Sequence, residues 1–280
     1  MAQPRPFEHS IGLGLEASFG SPVAPTIWLP GTSSLKKPPG IAVLENPVGE
    51  WEESRVTRRP TKVEGSLELE IIPGATTILR ALLTRKGRRN LNSISVYDNY
   101  GDQTAFRNLG ITAKSATFKC ASGEDLMGSF DCVGRTRDRV TPLIPDFDLT
   151  APYTYEEMIV TAAGAPEYHL SEVEIGYDFA VVDDKFRSDG TGLLREVPTD
   201  GQAVVVTLQH DFEHADLWDL AMAGTELSLT LVFTRLAHVL TWTMPRCIHL
   251  EGDVEGNEQP LELKPLRSAD GTAAVTLTEV

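Results

Sequence analysis

GSLELEIIPGATTILRALL, Gly65 to Leu83, carries the pattern that decides the fold class. Its first residues alternate: Leu67, Leu69 and Ile71 fall on one face, Ser66, Glu68 and Glu70 on the other. That period of two is the signature of a strand with one face buried. Pro73-Gly74 marks a turn. Beyond it, Ile78, Leu79, Leu82 and Leu83 recur at helical spacing and predict a short helix over 75–83. Arg85, Lys86 and then Gly87 suit its end, where cations meet the negative pole of the helix. Further strands are predicted over 91–97, 111–120 and 127–133.

The same order of elements returns. GQAVVVTLQ (Gly201–Gln209) is a second glycine-led strand. HADLWDLAM (His214–Met222) places Leu217, Trp218, Leu220 and Ala221 on a second short helix, with Gly224 as its stop. LSLTLVF (Leu227–Phe233) is the next strand, followed by 239–244, 247–250 and 260–264. Corresponding elements are offset by roughly 131 to 139 residues, the drift that loop insertions leave in an old duplication. Between the halves, DRVTPLIPDFDLTAPYTY (Asp138–Tyr155) carries Pro142, Pro145 and Pro152 and reads as a connector. The expected division is therefore 1–146 and 147–280. Two short helices among many short strands make the class mostly β.

The chain holds 25 Lys+Arg against 40 Asp+Glu, a net charge of −15. Residues 1–146 contain 18 basic and 16 acidic side chains, residues 147–280 contain 7 and 24. Such a balance argues against gripping nucleic acid by phosphate neutralisation. It leaves open a protein that nucleic acid slides past. Ahead of each predicted helix lies a charged segment, 33–64 and 172–201, read as a long exposed hairpin. Arg55, Arg58, Arg59 and Lys62 cluster in the first, and Asp178, Asp183, Asp184 and Asp189 in the second. Hairpins this polar do not bury themselves, and exposed strand edges invite pairing. The expectation is that the basic hairpin of one copy meets the acidic hairpin of another. Charge reversal at Arg58 and Arg59 should then lower polymerisation more in low salt than in high.

Catalytic and metal-binding patterns are weak. His210-Asp-Phe-Glu-His214 has two His at i and i+4, but the carboxylates are misplaced for a metalloprotease motif, and His210 falls at a strand end. Gly12-Leu-Gly14 lacks the third glycine of a dinucleotide fingerprint and reads as part of a flexible N-terminal arm. Cys120, Cys132 and Cys247 are odd in number and widely spaced, which suits small core residues in a reducing compartment. His169, His238 and His249 are isolated and read as structural. Glu156-Glu157 reads as a solvated pair. No cofactor is implied, and no enzyme activity is expected. MAQPRPFEHS lacks a signal-peptide pattern, and no apolar run would span a bilayer. Trp28, Trp51, Trp218 and Trp242 are scattered, which disfavours the alternative of a β-sandwich module that binds glycans or a host surface.

Taken in order, these pieces resemble the tail tube proteins of tailed bacteriophages, in their larger, internally duplicated form. The resemblance rests on the glycine- and proline-marked arm IGLGLEASFGSPVAPTIWLP (Ile11–Pro30), the charged hairpin and the Gly65–Leu83 strand and helix. It extends through GSFDCVG (Gly128–Gly134) to the closing segment TWTMPRCIHLEGDVEGNEQPLELKPL onward to AAVTLTEV. It implies two tandem tail-tube-like repeats, each a β-sandwich or half-barrel with one short helix and a long charged hairpin. It implies a virion structural protein, assembled in the host cytoplasm, whose rings stack into a hollow tail through which DNA passes unbound. A trimeric ring of pseudo-sixfold symmetry is favoured, with a hexamer as the alternative. The tape measure, terminator and distal tail proteins are the expected partners. Another tail part of the same fold, such as a terminator or baseplate protein, is the remaining alternative. Alternating strand residues Glu68, Glu70, Asp131 and Glu262 are the candidates to line the lumen, where an acidic wall would repel and centre the duplex.

Overall fold

The computed structural model describes residues 9–44, 55–86, 90–101, 104–146, 150–167, 169–189, 191–211, 219, 223–249, 258–267 and 273–280. In the first half the strands are β1 (His9–Leu15), β2 (Ile27–Leu29), β3 (Gly31–Ser33), β4 (Ile41–Leu44), β5 (Arg55–Arg58) and β6 (Val63–Glu70). Helix α1 (Thr76–Leu83) follows, then β7 (Arg85–Lys86), β8 (Asn90–Leu91), β9 (Ile94–Tyr100), β10 (Thr104–Ala121), β11 (Met127–Gly134) and β12 (Thr136–Val140). The second half holds β13 (Met158–Ala162), β14 (Ala165–Glu167), β15 (Leu170–Asp178), β16 (Ala203–Asp211), β17 (Leu227–Arg235), β18 (His238–His249), β19 (Glu258–Pro265) and β20 (Thr276–Glu279). The protein is mostly β, as the alternation requires, and every named strand pair is antiparallel.

The stretch that opened the reading behaves as its pattern dictates. On β6, Val63, Leu67 and Leu69 are fully buried, while Glu64 and Glu68 are exposed. On α1, Ile78, Leu79, Leu82 and Leu83 are buried in the core. The N-terminal groups of the helix are held from the far end of the chain. Glu279 accepts hydrogen bonds from the Gly74 amide (2.8 Å), the Thr76 hydroxyl and the Tyr153 hydroxyl (3.0 Å). A carboxylate there stands at the positive pole of the helix, which favours its negative charge.

Strand pairing runs in the same order in both halves. In the first it is β2-β1-β9-β10-β11-β6-β3, with β12 added to β10. In the second it is β14-β13-β17-β18-β19-β16-β15, with β20 added to β18. Corresponding strands also follow one another in the same chain order. Both β9–β10 and β17–β18 carry a register shift, at Asn108/Ile111 and Leu227/Leu229.

The halves join edge to edge. The last residues of β10, Ser115–Ala121, pair with β15, Glu172–Asp178, so one sheet runs through both. Behind it lies one apolar core. Phe118 of the first half packs against Phe130 (5.6 Å between ring centroids), Tyr177 (6.1 Å) and Trp242 (5.4 Å). The first two pairs are edge-to-face and the third is tilted, and aromatic pairs at such spacings add to the gain from area burial alone.

Several expectations change. The arm around Gly12-Leu-Gly14 is not loose: β1 pairs with β9 along His9–Leu15 and with β2 at Ile11–Leu13. The glycines are there for close approach, since a Cβ on Gly12 would meet Pro25 at 2.8 Å and Trp28 at 2.9 Å. The segments 239–244 and 247–250 are not two strands, because β18 runs on through Pro245, with a bulge that accommodates the missing amide. The connector starts later than Asp138, which lies on β12 paired with Arg107. The second helix, predicted over 214–222, lies outside the described residues except Asp219.

Candidate functional site

Alternation along the continuous sheet sends every second residue away from the core, and the register lines these residues up in rows. One row runs Glu70, Met127, Lys119, Glu174, Thr207 and Glu262. The next runs Glu68, Ser129, Thr117, Gly176 and Val205, and a third Ser66, Asp131, Ser115, Asp178 and Ala203. Glu68, Glu70, Asp131 and Glu262 thus share one face of one sheet, although they come from β6, β11 and β19 in different halves. Each is exposed or partly exposed.

Glu64, Glu172 and Glu174, which the sequence reading did not single out, lie on the same face, and so does Asp178, which it had assigned to the acidic hairpin. SEVEIGYD alternates as plainly as β6 does, with Val173, Ile175 and Tyr177 buried. The period was legible, but the segment was read as part of a hairpin. Against these carboxylates the face carries Lys36, Lys114, Lys119 and Lys264, so its balance is acidic. Lys119 is paired to Glu172 at 2.8 Å, and that bond holds its pKa above the ordinary lysine value. Exposed pairs of this kind contribute about 0–1 kcal/mol.

The charged segments are placed as follows. Arg55 and Arg58 lie on β5, which pairs with β4 as the predicted hairpin. Arg59 is exposed, and its amide bonds the Gly40 carbonyl at 3.0 Å. The acidic segment is not a matching free hairpin. Its start is β15 of the main sheet, and the described residues of 179–201 fold over the first half of the same chain. Lys62 bonds Asp183 at 2.7 Å, and Lys114 stands 3.8 Å from the same carboxylate. A charge pairing expected between copies is made here within one chain. Burial works against the charge on Lys62, but its bonds to Asp183 and Glu64 outweigh that and raise its pKa. The Thr61 amide donates to the Gly192 carbonyl (3.2 Å), and Leu194 and Val197 cover Val133. Asp178 accepts from the Ala180 amide and Asp189 from the Thr191 amide, both as local turn contacts; Asp184 is exposed.

Among the described residues no group of His, Cys, Asp and Glu is arranged to hold a metal. His210 is the penultimate residue of β16, while His214 lies outside the described residues. Glu157 is engaged rather than solvated: it accepts from Arg235 at 2.8 Å and from the Thr154 amide at 3.2 Å. The three cysteines are buried and unpaired with one another. Burial pushes the thiols of Cys120 and Cys247 up to about 12 and raises that of Cys132 further.

Against this geometry, a family model described as phage tail tube protein matches residues 7–273. The chain belongs to the phage tail tube protein family. It is therefore a structural protein of the phage tail, and the mostly β fold is the one that role uses here. A comparison with curated proteins finds no match. No helix among the described residues is long and apolar enough to cross a membrane.

Proposed function

We propose that this chain is the self-assembling subunit of a hollow tail tube, built from two tandem repeats of one tube unit. The observation that carries the reading is the shared pairing order of the two halves, down to the extra strand on β10 and on β18 and the register shift beside it. If each half is one unit, three chains supply six, so a trimeric ring with pseudo-sixfold symmetry is the closed form; a hexamer of chains is the alternative. Rings stack head to tail, an open arrangement that makes a filament. The tape measure, terminator and distal tail proteins would meet that filament within it or at its ends.

The carboxylate face of the continuous sheet lines the bore. Duplex DNA carries a charge every ~1.7 Å along its axis, and a wall that neutralised those charges would hold it. A wall bearing Glu68, Glu70, Asp131 and Glu262 repels the duplex from every side, and a closed protein wall focuses that potential. DNA then passes without a specific site. Sedimentation and negative-stain microscopy of the purified chain test the reading. Hollow filaments that lengthen with protein concentration are expected. A species that stays monomeric at every concentration would refute it.

A further inference from the structure

The lysines on and beside the carboxylate face are each met by carboxylates. Lys119 bonds Glu172 at 2.8 Å and lies opposite Glu174 in the register of β10 and β15. Lys114 stands 3.8 Å from Asp131 and 3.8 Å from Asp183. Lys62 bonds Glu64 at 2.9 Å and Asp183 at 2.7 Å. Lys36 lies opposite Glu64 across an isolated bridge, and Lys264 follows Glu262 by two residues along β19. The carboxylates come from β6, β11, β15 and the segment after β15, so the strand register and the fold of that segment bring them to the lysines.

Burial does not hide these cations. The side chains of Lys62, Lys114 and Lys119 are 24%, 35% and 46% exposed. Ion pairs this open to water add little to stability. Their effect on a polyanion is larger, because DNA is held by the sum of its phosphate contacts, each of which releases counterions. In a tube, one available lysine per chain recurs in every ring, and weak contacts then add along the whole duplex. A lysine already bonded to a carboxylate makes no such contact, and the carboxylate repels the phosphate besides.

We infer that Glu172 and Asp183 are guard residues of the bore: they occupy the ammonium groups of Lys119, Lys114 and Lys62, so that these cations do not grip the phosphates of duplex DNA moving past. The inference rests on the bore reading and adds a division of labour among the carboxylates. Glu68 and Glu70 supply repulsion only: their partners on β11 are Ser129 and Met127, and Glu68 accepts from the Thr32 hydroxyl at 3.2 Å. Losing either of these leaves the face less acidic, whereas losing Glu172 or Asp183 makes it adhesive.

Two variants of equal charge separate these roles. Glu172→Gln with Asp183→Asn strips a carboxylate from each of three lysines; Glu68→Gln with Glu70→Gln removes the same charge and strips none. Binding of a short labelled DNA duplex to the dilute, unassembled chain is followed by fluorescence anisotropy over a range of salt. The first variant should bind at low salt, with log affinity falling against log salt at a slope of about −0.9 for each lysine released. The second should bind no better than the parent chain. Adding Lys114→Gln and Lys119→Gln to the first variant should abolish the gain. Equal binding by the two charge-matched variants, or binding that survives loss of both lysines, overturns the guard role and leaves the tube reading intact. Filaments of the first variant are then mixed with closed circular DNA, which cannot thread a bore, and should leave it in the supernatant on sedimentation. Filaments that carry circular DNA into the pellet would place the face outside and overturn the bore reading itself.

Discussion

The two halves share a pairing order and differ in what joins β1 to β2 and β13 to β14. In the first half residues 16–26 loop out, and the loop is tied down by a buried carboxylate. Glu16, 2% exposed, accepts from the Gly20 and Gly110 amides (2.7 and 2.9 Å) and from the hydroxyls of Ser93 (2.8 Å) and Ser95 (2.9 Å). In the second half Ala163-Gly164 makes the turn alone, with both residues at positive φ. The strand frame is thus indifferent to the length of its connections, because register and core packing hold it. A long connection needs its own polar anchor, and a two-residue turn does not.

The largest effect tests whether the halves share one core. Phe118→Ala should cost about 3–5 kcal/mol in chemical denaturation, in a single transition for the whole chain. Two separate transitions, with only the first shifted, would show that the halves are held independently. Next, Glu16→Ala should cost about 2–4 kcal/mol, since buried donors are left without their acceptor. At the matching turn, Ala163→Gly should be neutral or stabilising by up to about 1 kcal/mol, because glycine adopts positive φ without strain. Equal losses at both sites would break the contrast.

Smaller is the link between the chain end and α1. Glu279→Ala should lower stability by about 1–2 kcal/mol, read from the same denaturation curves. Asp183→Asn should cost about 1 kcal/mol or less, and less still in high salt. The raised pKa of Lys62 fixes the sign of the pH dependence. Its contribution is complete below the ordinary lysine value of 10.5 and is lost as pH rises through the higher folded value. The asparagine variant should flatten that loss. Finally, a thiol reagent at pH 8 should leave the folded protein unmodified and label three cysteines once it is denatured.

How much was legible follows the physics of each signal. β6, α1, β11 and β17 could be read directly because each has one face against the core, and burial writes a period of two or 3.6 into the sequence. The shared order of elements was visible in the sequence, although few residues match between halves. β10 was underestimated because its first residues pair with β9 on one side and β12 on the other, where Asn108 is buried alongside apolar neighbours and the alternation fades. The acidic segment was read as a free hairpin because its composition is polar. What sequence could not supply was its long-range partner, Lys62, 121 residues away. For the carboxylate face, the four candidates were chosen from alternation alone. That they share a face with Glu64, Glu172, Glu174 and Asp178 depends on the register between strands, which no single strand encodes.

The most direct measurement is a three-dimensional electron cryo-microscopy reconstruction of the assembled protein. The expected result is a ring of three chains whose bore is lined by Glu68, Asp131, Glu174 and Glu262. A reconstruction with that face turned outward, or with a basic bore, would contradict it.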